Sequence, residues 1–118
     1  MNLIRIFLAV SWLVMAWASW RAGSSMGFDV AGDIFFGDMA HPWRGQFNID
    51  FFLHLLAIAL WLGWTAKNRL LGPLVGLAAV MGGALFSFAY LLLRSFGGDQ
   101  SLRHLLLGRQ QGASDVAN

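Results

Sequence analysis

Between Arg69 and Arg94 the chain carries no charged side chain at all. At about 1.5 Å per residue, a helix over that stretch exceeds the roughly 30 Å hydrocarbon core of a bilayer. Two further runs resemble it. Leu3 to Trp20 has Arg5 as its one charge, and the stretch between Arg44 and Lys67 has only Asp50 and His54 inside. The first is short but adequate, because an arginine near a helix end snorkels to the interface. The second suffices if Asp50 sits near a headgroup layer. Composition agrees: the chain is 58% apolar and 12% charged, with a mean hydropathy of +0.61. A soluble domain carries about 25% charge. A chain with half of that cannot coat a soluble surface, and one this apolar is not disordered. The expectation is an all-α integral membrane protein with three transmembrane helices.

The bounds of the spans follow from what interrupts the runs. They fall at about 3–20, 46–65 and 71–93, within one domain over 1–109. Trp20, Trp43, Trp61 and Trp64 lie near run ends, where indoles prefer the headgroup level. Gly72-Pro73 opens the third run, and Gly97-Gly98 follows its end. The small residues Ala16 and Ala18 have the spacing of a signal-peptidase site. A single preceding arginine and three tryptophans in the run favour an uncleaved span. The segment Arg21 to Gln46 is rich in glycine but also carries Val30, Ile34, Phe35, Phe36 and Met39, so it reads as a folded interfacial cap. Leu102, Leu105 and Leu106 fall at helical spacing around Arg103 and His104. They predict a short amphipathic helix over 101–108, capped by Asp99 or Ser101 and lying in the headgroup plane. Residues 110–118 read as a loose polar tail.

Three straight crossings put the Arg21–Gln46 loop and the tail on one face, and the turn at Lys67–Arg69 on the other. Arg21, Arg44, Arg94, Arg103 and Arg109 then oppose Arg5, Lys67, Arg69 and the terminal amine. That near balance tilts only slightly toward a cytoplasmic loop and tail.

Asp50 and His54 are four apart on one helical face, and ionisable residues within a membrane mark function by default. If the span enters hydrocarbon near Phe47, they lie about 5 and 10 Å deep. Antiparallel crossings bring Tyr90 and Arg94 from the third run, and Arg21 from the first, to the same level. The five residues form a candidate intramembrane polar cluster. It is open to three readings: a structural staple between helices, a proton-handling or ligand-binding site, or haem or metal ligation by His54. Each arginine has the simpler alternative of binding lipid phosphate. The loop aspartates Asp29, Asp33 and Asp38 lack the spacing of an EF-hand calcium loop. His41-Pro42 reads as a turn before the second span. Gly72, Gly76, Ala79, Gly83 and Ser87 recur with small-residue spacing along the third run and are candidate helix-packing positions, with Ala59 and Gly63 opposite.

No cysteine is present, which removes disulfide, iron–sulfur and thiolate zinc chemistry. The eight basic residues are scattered singly, and nothing in that order follows a nucleic-acid backbone. No phosphate-binding loop, nucleophile triad or paired carboxylates appear, so neither a resident cofactor nor an enzymatic activity is expected. The run Phe47-Asn48-Ile49-Asp50-Phe51-Phe52-Leu53-His54 resembles a group of small multi-span bacterial membrane proteins of unknown function. So do Trp61, Gly82-Gly83, Phe86 and Tyr90, and the closing Leu105-Leu106-Leu107-Gly108-Arg109. The resemblance extends over about Leu3 to Arg109. It implies a multi-span helical fold and carries over no catalytic residue. The functional expectation is an accessory or structural subunit of a complex in the bacterial inner membrane, in contact with lipid and with other subunits or copies of itself. A small homo-oligomeric carrier or channel using Asp50 and His54 is the first alternative. A pigment- or haem-binding subunit with His54 as ligand is the second.

Overall fold

The computed structural model describes residues 1–112, which are helical with no strand among them. Helix α1 spans Asn2–Met26, α2 Ala31–Gly37, α3 Pro42–Trp64, α4 Leu71–Arg94 and α5 Leu102–Leu107, with a 3-10 turn at Asp38–Ala40. The three long helices α1, α3 and α4 are each long and apolar enough to cross a membrane. From residue 113 on, the polar tail expected over 110–118 lies outside the described residues.

The fold turns on one residue of α4. Gly83 has φ 55° and ψ −138°, a conformation outside the helix, and the helix on either side belongs to two limbs. The limbs run back to back. Near the start of α4, Gly72 abuts Gly63 so closely that a Cβ on either would press on the other's carbonyl oxygen. At the far end, Arg94 Nη1 donates to Thr65 Oγ1 at 2.8 Å. A straight helix of 24 residues would hold its ends about 35 Å apart, so it cannot touch Gly63 and Thr65 at once. Burial is compatible with this path. Ala79 and Ser87 lie four residues either side of Gly83, Val75 and Leu91 lie eight either side, and all four are buried.

Both other long helices pack on α4. Its first limb lies antiparallel to α3, with Gly76 against Ala59 one turn beyond the Gly63–Gly72 contact. Its second limb lies antiparallel to α1. Arg5 donates to the backbone carbonyl and hydroxyl of Ser95, Phe7 meets Phe88 edge-on at 6.3 Å, and Trp12 Nε1 donates to Leu85 O at 2.9 Å. The remaining apolar surface of α1, including Leu3, Val10, Leu13 and Trp17, is exposed, as the lipid-facing side of a membrane helix would be.

The reversal corrects the topology expected from three straight crossings. The tail does not share an end with the Arg21–Gln46 segment. It lies beside the Thr65–Leu70 turn and the N-terminus, because the second limb of α4 returns there. The Arg21–Gln46 segment is folded, as its apolar content requires. Its first residues extend α1, and the rest forms α2, the 3-10 turn and the start of α3. Asn48 Nδ2 donates to Phe35 O at 2.9 Å, and Phe35 meets the Phe51 ring, which ties this cap to α3. His41 caps α3, its Nδ1 accepting from the Arg44 amide.

Candidate functional site

The five residues expected to form one polar cluster lie in three places: Asp50 with His54, Tyr90 with Arg94, and Arg21 apart from both. Asp50 and His54 share a face of α3, and their side chains are 62% and 76% exposed. His54 Nδ1 lies 2.8 Å from the Asp50 carbonyl and 3.5 Å from its carboxylate. Among the described residues neither side chain has another hydrogen-bond or ion-pair partner. Arg21 stands over the Trp17 ring near the other end of α1. Tyr90 stacks on Phe86, and Arg94 bonds to Thr65, about 22 Å along α3 from Asp50. The separation of Tyr90 and Arg94 from the pair has one cause. A straight α4 would carry them to the level of Asp50, and the turn at Gly83 returns them to the level of Thr65.

The small residues divide between two tasks. Gly72 and Gly76 lie in the close approach of α3 and α4. Ala79 and Ser87 are buried on either side of Gly83. A Cβ on Gly83 would meet open space, so this position serves backbone conformation and not helix packing. The Ser87 hydroxyl is buried without a hydrogen-bond partner among the described residues.

What the fold does gather is cationic. The last turn of α3 ends in carbonyls that no helix neighbour can satisfy, and the tail supplies them with donors. Arg109 Nη2 donates to Trp64 O at 2.8 Å, Arg109 Nε to Ala66 O at 3.2 Å, and the Arg109 amide to Thr65 O at 3.3 Å. Gln110 adds a second bond to Trp64 O, and Trp61 Nε1 donates to Leu106 O. Positive groups at a helix C-terminus also oppose the negative end of its dipole. Beside this joint opens a cavity of about 630 Å³ lined by Thr65, Lys67, Tyr90, Arg94, His104 and Arg109, with Gly97, Gly98 and Gly108. No acidic residue is among the described residues that line it. Gly108 has φ 51°, and a Cβ there would run into Thr65 O and the Arg94 guanidinium. Arg94 Nε is buried and has no hydrogen-bond partner among the described residues.

Neither Arg5 nor Arg109 stood out in the sequence as a structural tie. Arg5 reaches Ser95 and Gln100 and lies 4.3 Å from the centre of the Phe96 ring. As the one charge in an apolar run it was visible, but its partners near the far end of the chain were not.

The tail helix α5 is held by a short relay. Ser101 Oγ accepts from the His104 amide and caps the helix, while Asp99 accepts from the Ser101 hydroxyl at 2.7 Å and from its amide at 3.1 Å. These bonds, the Ser101 hydroxyl first and then the Gln111 amide, hold the Asp99 carboxyl down to about 2. A free aspartate titrates near 4. A carboxyl depressed in the folded state stabilises it above the unfolded value, and the contribution disappears as pH falls through the folded value. Hydrogen-exchange protection of the His104 amide is therefore expected to hold at pH 5 and to fall as pH drops from about 4 toward 2. Asp99→Asn should lose that pH dependence. Leu105 of this helix is buried, whereas Leu102 and Leu106 are about half exposed.

Among family models, curated proteins and solved structures, none matches this chain.

Proposed function

We propose that this chain is a non-enzymatic accessory subunit of a bacterial inner-membrane complex, and that it meets a helix of another chain through the Asp50–His54 face of α3. The observation that carries the reading is the exposure of that pair. Asp50 and His54 lie about 12 and 18 Å along α3, a helix of 23 residues, so both stand well inside the hydrocarbon if α3 crosses it. An aspartate at the centre of a membrane helix costs about 2.5–3.5 kcal/mol, and such residues face partners, not lipid. The described residues of this chain offer the pair no partner beyond each other, which supports a partner on another chain. A transmembrane helix with a hydrogen-bond donor for the carboxylate and an acceptor or donor for the imidazole fits the pair.

The charge distribution supports an orientation. With the tail beside the Thr65–Leu70 turn, Arg5, Lys67, Arg69, Arg94, Arg103 and Arg109 gather at one end, and Arg21 and Arg44 remain at the other. Basic residues mark the cytoplasmic end. That end therefore holds both α5 and the N-terminus, and the cap with Asp29, Asp33 and Asp38 faces away from the cytoplasm.

Native mass spectrometry from mild detergent tests the subunit reading. The chain is expected to travel with a second polypeptide, with that association lost in Asp50→Leu and largely kept in Asp50→Asn, while the isolated chain inserts normally in both. A stable homo-oligomer indifferent to Asp50→Leu would overturn it. Survival of a homo-oligomer that depends on Asp50 would favour the carrier or channel. The bond between His54 Nδ1 and the Asp50 carbonyl also supports a second reading. With Nδ1 donating, Nε2 is left as an outward-facing ligand, the arrangement that orients a metal-binding histidine. A haem or pigment held there would show as visible absorbance in the purified complex, lost in His54→Leu.

A further inference from the structure

We infer that the cationic cavity at the tail end of the bundle is a binding site for the phosphate of an anionic phospholipid headgroup. Lys67, Arg94 and Arg109 line it from three separate segments of chain, with His104 and the Tyr90 phenol beside them. Ion pairs among the described residues join Arg44 to Asp38 and His54 to Asp50, and none involves these three cations. Arg94 and Arg109 donate to neutral oxygens of Thr65, His104, Trp64 and Ala66, so among the described residues no carboxylate offsets their positive charge. The buried Arg94 Nε adds a donor with no acceptor among the described residues. A tetrahedral oxyanion supplies what is missing: negative charge and several acceptor oxygens within one small volume.

The surroundings favour a lipid as the source of that phosphate. Arg109 also lines a second, open groove of about 860 Å³ that runs between α3 and the first limb of α4, over Leu56, Leu60, Gly76 and Leu77. Gly63 and Gly72 line it as well. A headgroup held by Lys67, Arg94 and Arg109 would therefore have an apolar groove beside it for an acyl chain. Basic pockets between membrane helices on the cytoplasmic side hold anionic headgroups in this way. A zwitterionic lipid carries the same phosphodiester but places a quaternary ammonium among three cations, and so is disfavoured.

The experiment uses the full chain, delipidated in a mild detergent. Phosphatidylglycerol, phosphatidylcholine of the same acyl chains, or inorganic phosphate is added, and lipid retained on the monomer peak is read by native mass spectrometry. Reading the monomer keeps the result separate from the fate of the α3 partner. One phosphatidylglycerol per chain is expected, held several-fold more tightly than phosphatidylcholine. Lys67→Gln should weaken it about fivefold, the effect of one basic side chain near a lipid surface. Among the described residues Lys67 makes no hydrogen bond or ion pair that the fold would miss, and Lys67→Arg should restore binding. Inorganic phosphate at millimolar concentration should displace little lipid. Equal retention of the two lipids, or no effect of Lys67→Gln, would overturn the site. Phosphate binding as tight as the lipid's would overturn the lipid assignment and leave a free-anion site.

Discussion

A cysteine at Gly112 is expected to react from the same side of the membrane as one at Arg69, and from the side opposite one at Gly32. The native chain has no cysteine, so single substitutions suffice. Among the described residues Gly32 and Gly112 have no neighbour within 4 Å of a Cβ, so Gly32→Cys and Gly112→Cys disturb no described contact. Arg69→Cys removes an exposed side chain. The effect is all or none, which makes it the sharpest test of the fold. If α4 ran straight, Gly112 would label with Gly32. The hairpin instead returns Arg94 to Thr65 and seats Arg109 on the last carbonyls of α3, which lie beside Arg69. In inverted inner-membrane vesicles, a membrane-impermeant maleimide should reach positions 69 and 112 and spare position 32. In intact spheroplasts the pattern should reverse.

The sequence made the long apolar helices legible because a run of about 20 residues with almost no charge has few other solutions in water or lipid. It also made the tail helix legible, with its cap narrowed to Asp99 or Ser101, of which Ser101 accepts from the His104 amide. The path of α4 was hidden for a specific reason. Residues 71–94 satisfy the length and apolarity of a full crossing, and a glycine pair in a membrane helix is as common in close packing as in a bend. Nothing in the local pattern says that Gly83 is needed for its φ and not for its lack of a side chain. The candidate polar cluster failed with the path, since Tyr90 and Arg94 were placed by assuming a straight helix. The cationic cavity was invisible for the converse reason. Lys67, Arg94 and Arg109 are scattered singly along the chain, and only the reversal brings them to one place. The apparent balance of basic residues between the two faces had the same origin. Once α4 turns back, the count becomes lopsided, which supports the proposed orientation.

Gly83 is therefore the position where a single methyl group should do most damage. At φ 55° and ψ −138° an L-residue is strained whatever the space around it, and the space is open, so the cost is conformational. Holding a non-glycine residue in such a region costs about 1–3 kcal/mol. Gly83→Ala is expected to lower stability in detergent by that amount, and Gly83→Val by more, because a β-branched side chain is stiffer still. The loss should be larger in consequence than in magnitude. Straightening α4 would break the bonds from Arg5 to Ser95, from Trp12 to Leu85 and from Arg94 to Thr65 together. It would also leave the whole apolar length of α4 free to cross. The positive charges of Arg94, Arg103 and Arg109 oppose that crossing, so a mixed population is expected, with Gly112→Cys labelled in part from each side. One further variant separates strain from side-chain bulk. D-alanine at position 83, installed by peptide ligation, adds the same methyl group. A D-residue takes the Gly83 backbone conformation as readily as an L-residue takes its mirror image, which lies in the extended region. The D-alanine protein should keep wild-type stability and one-sided labelling, while its L-alanine counterpart loses both.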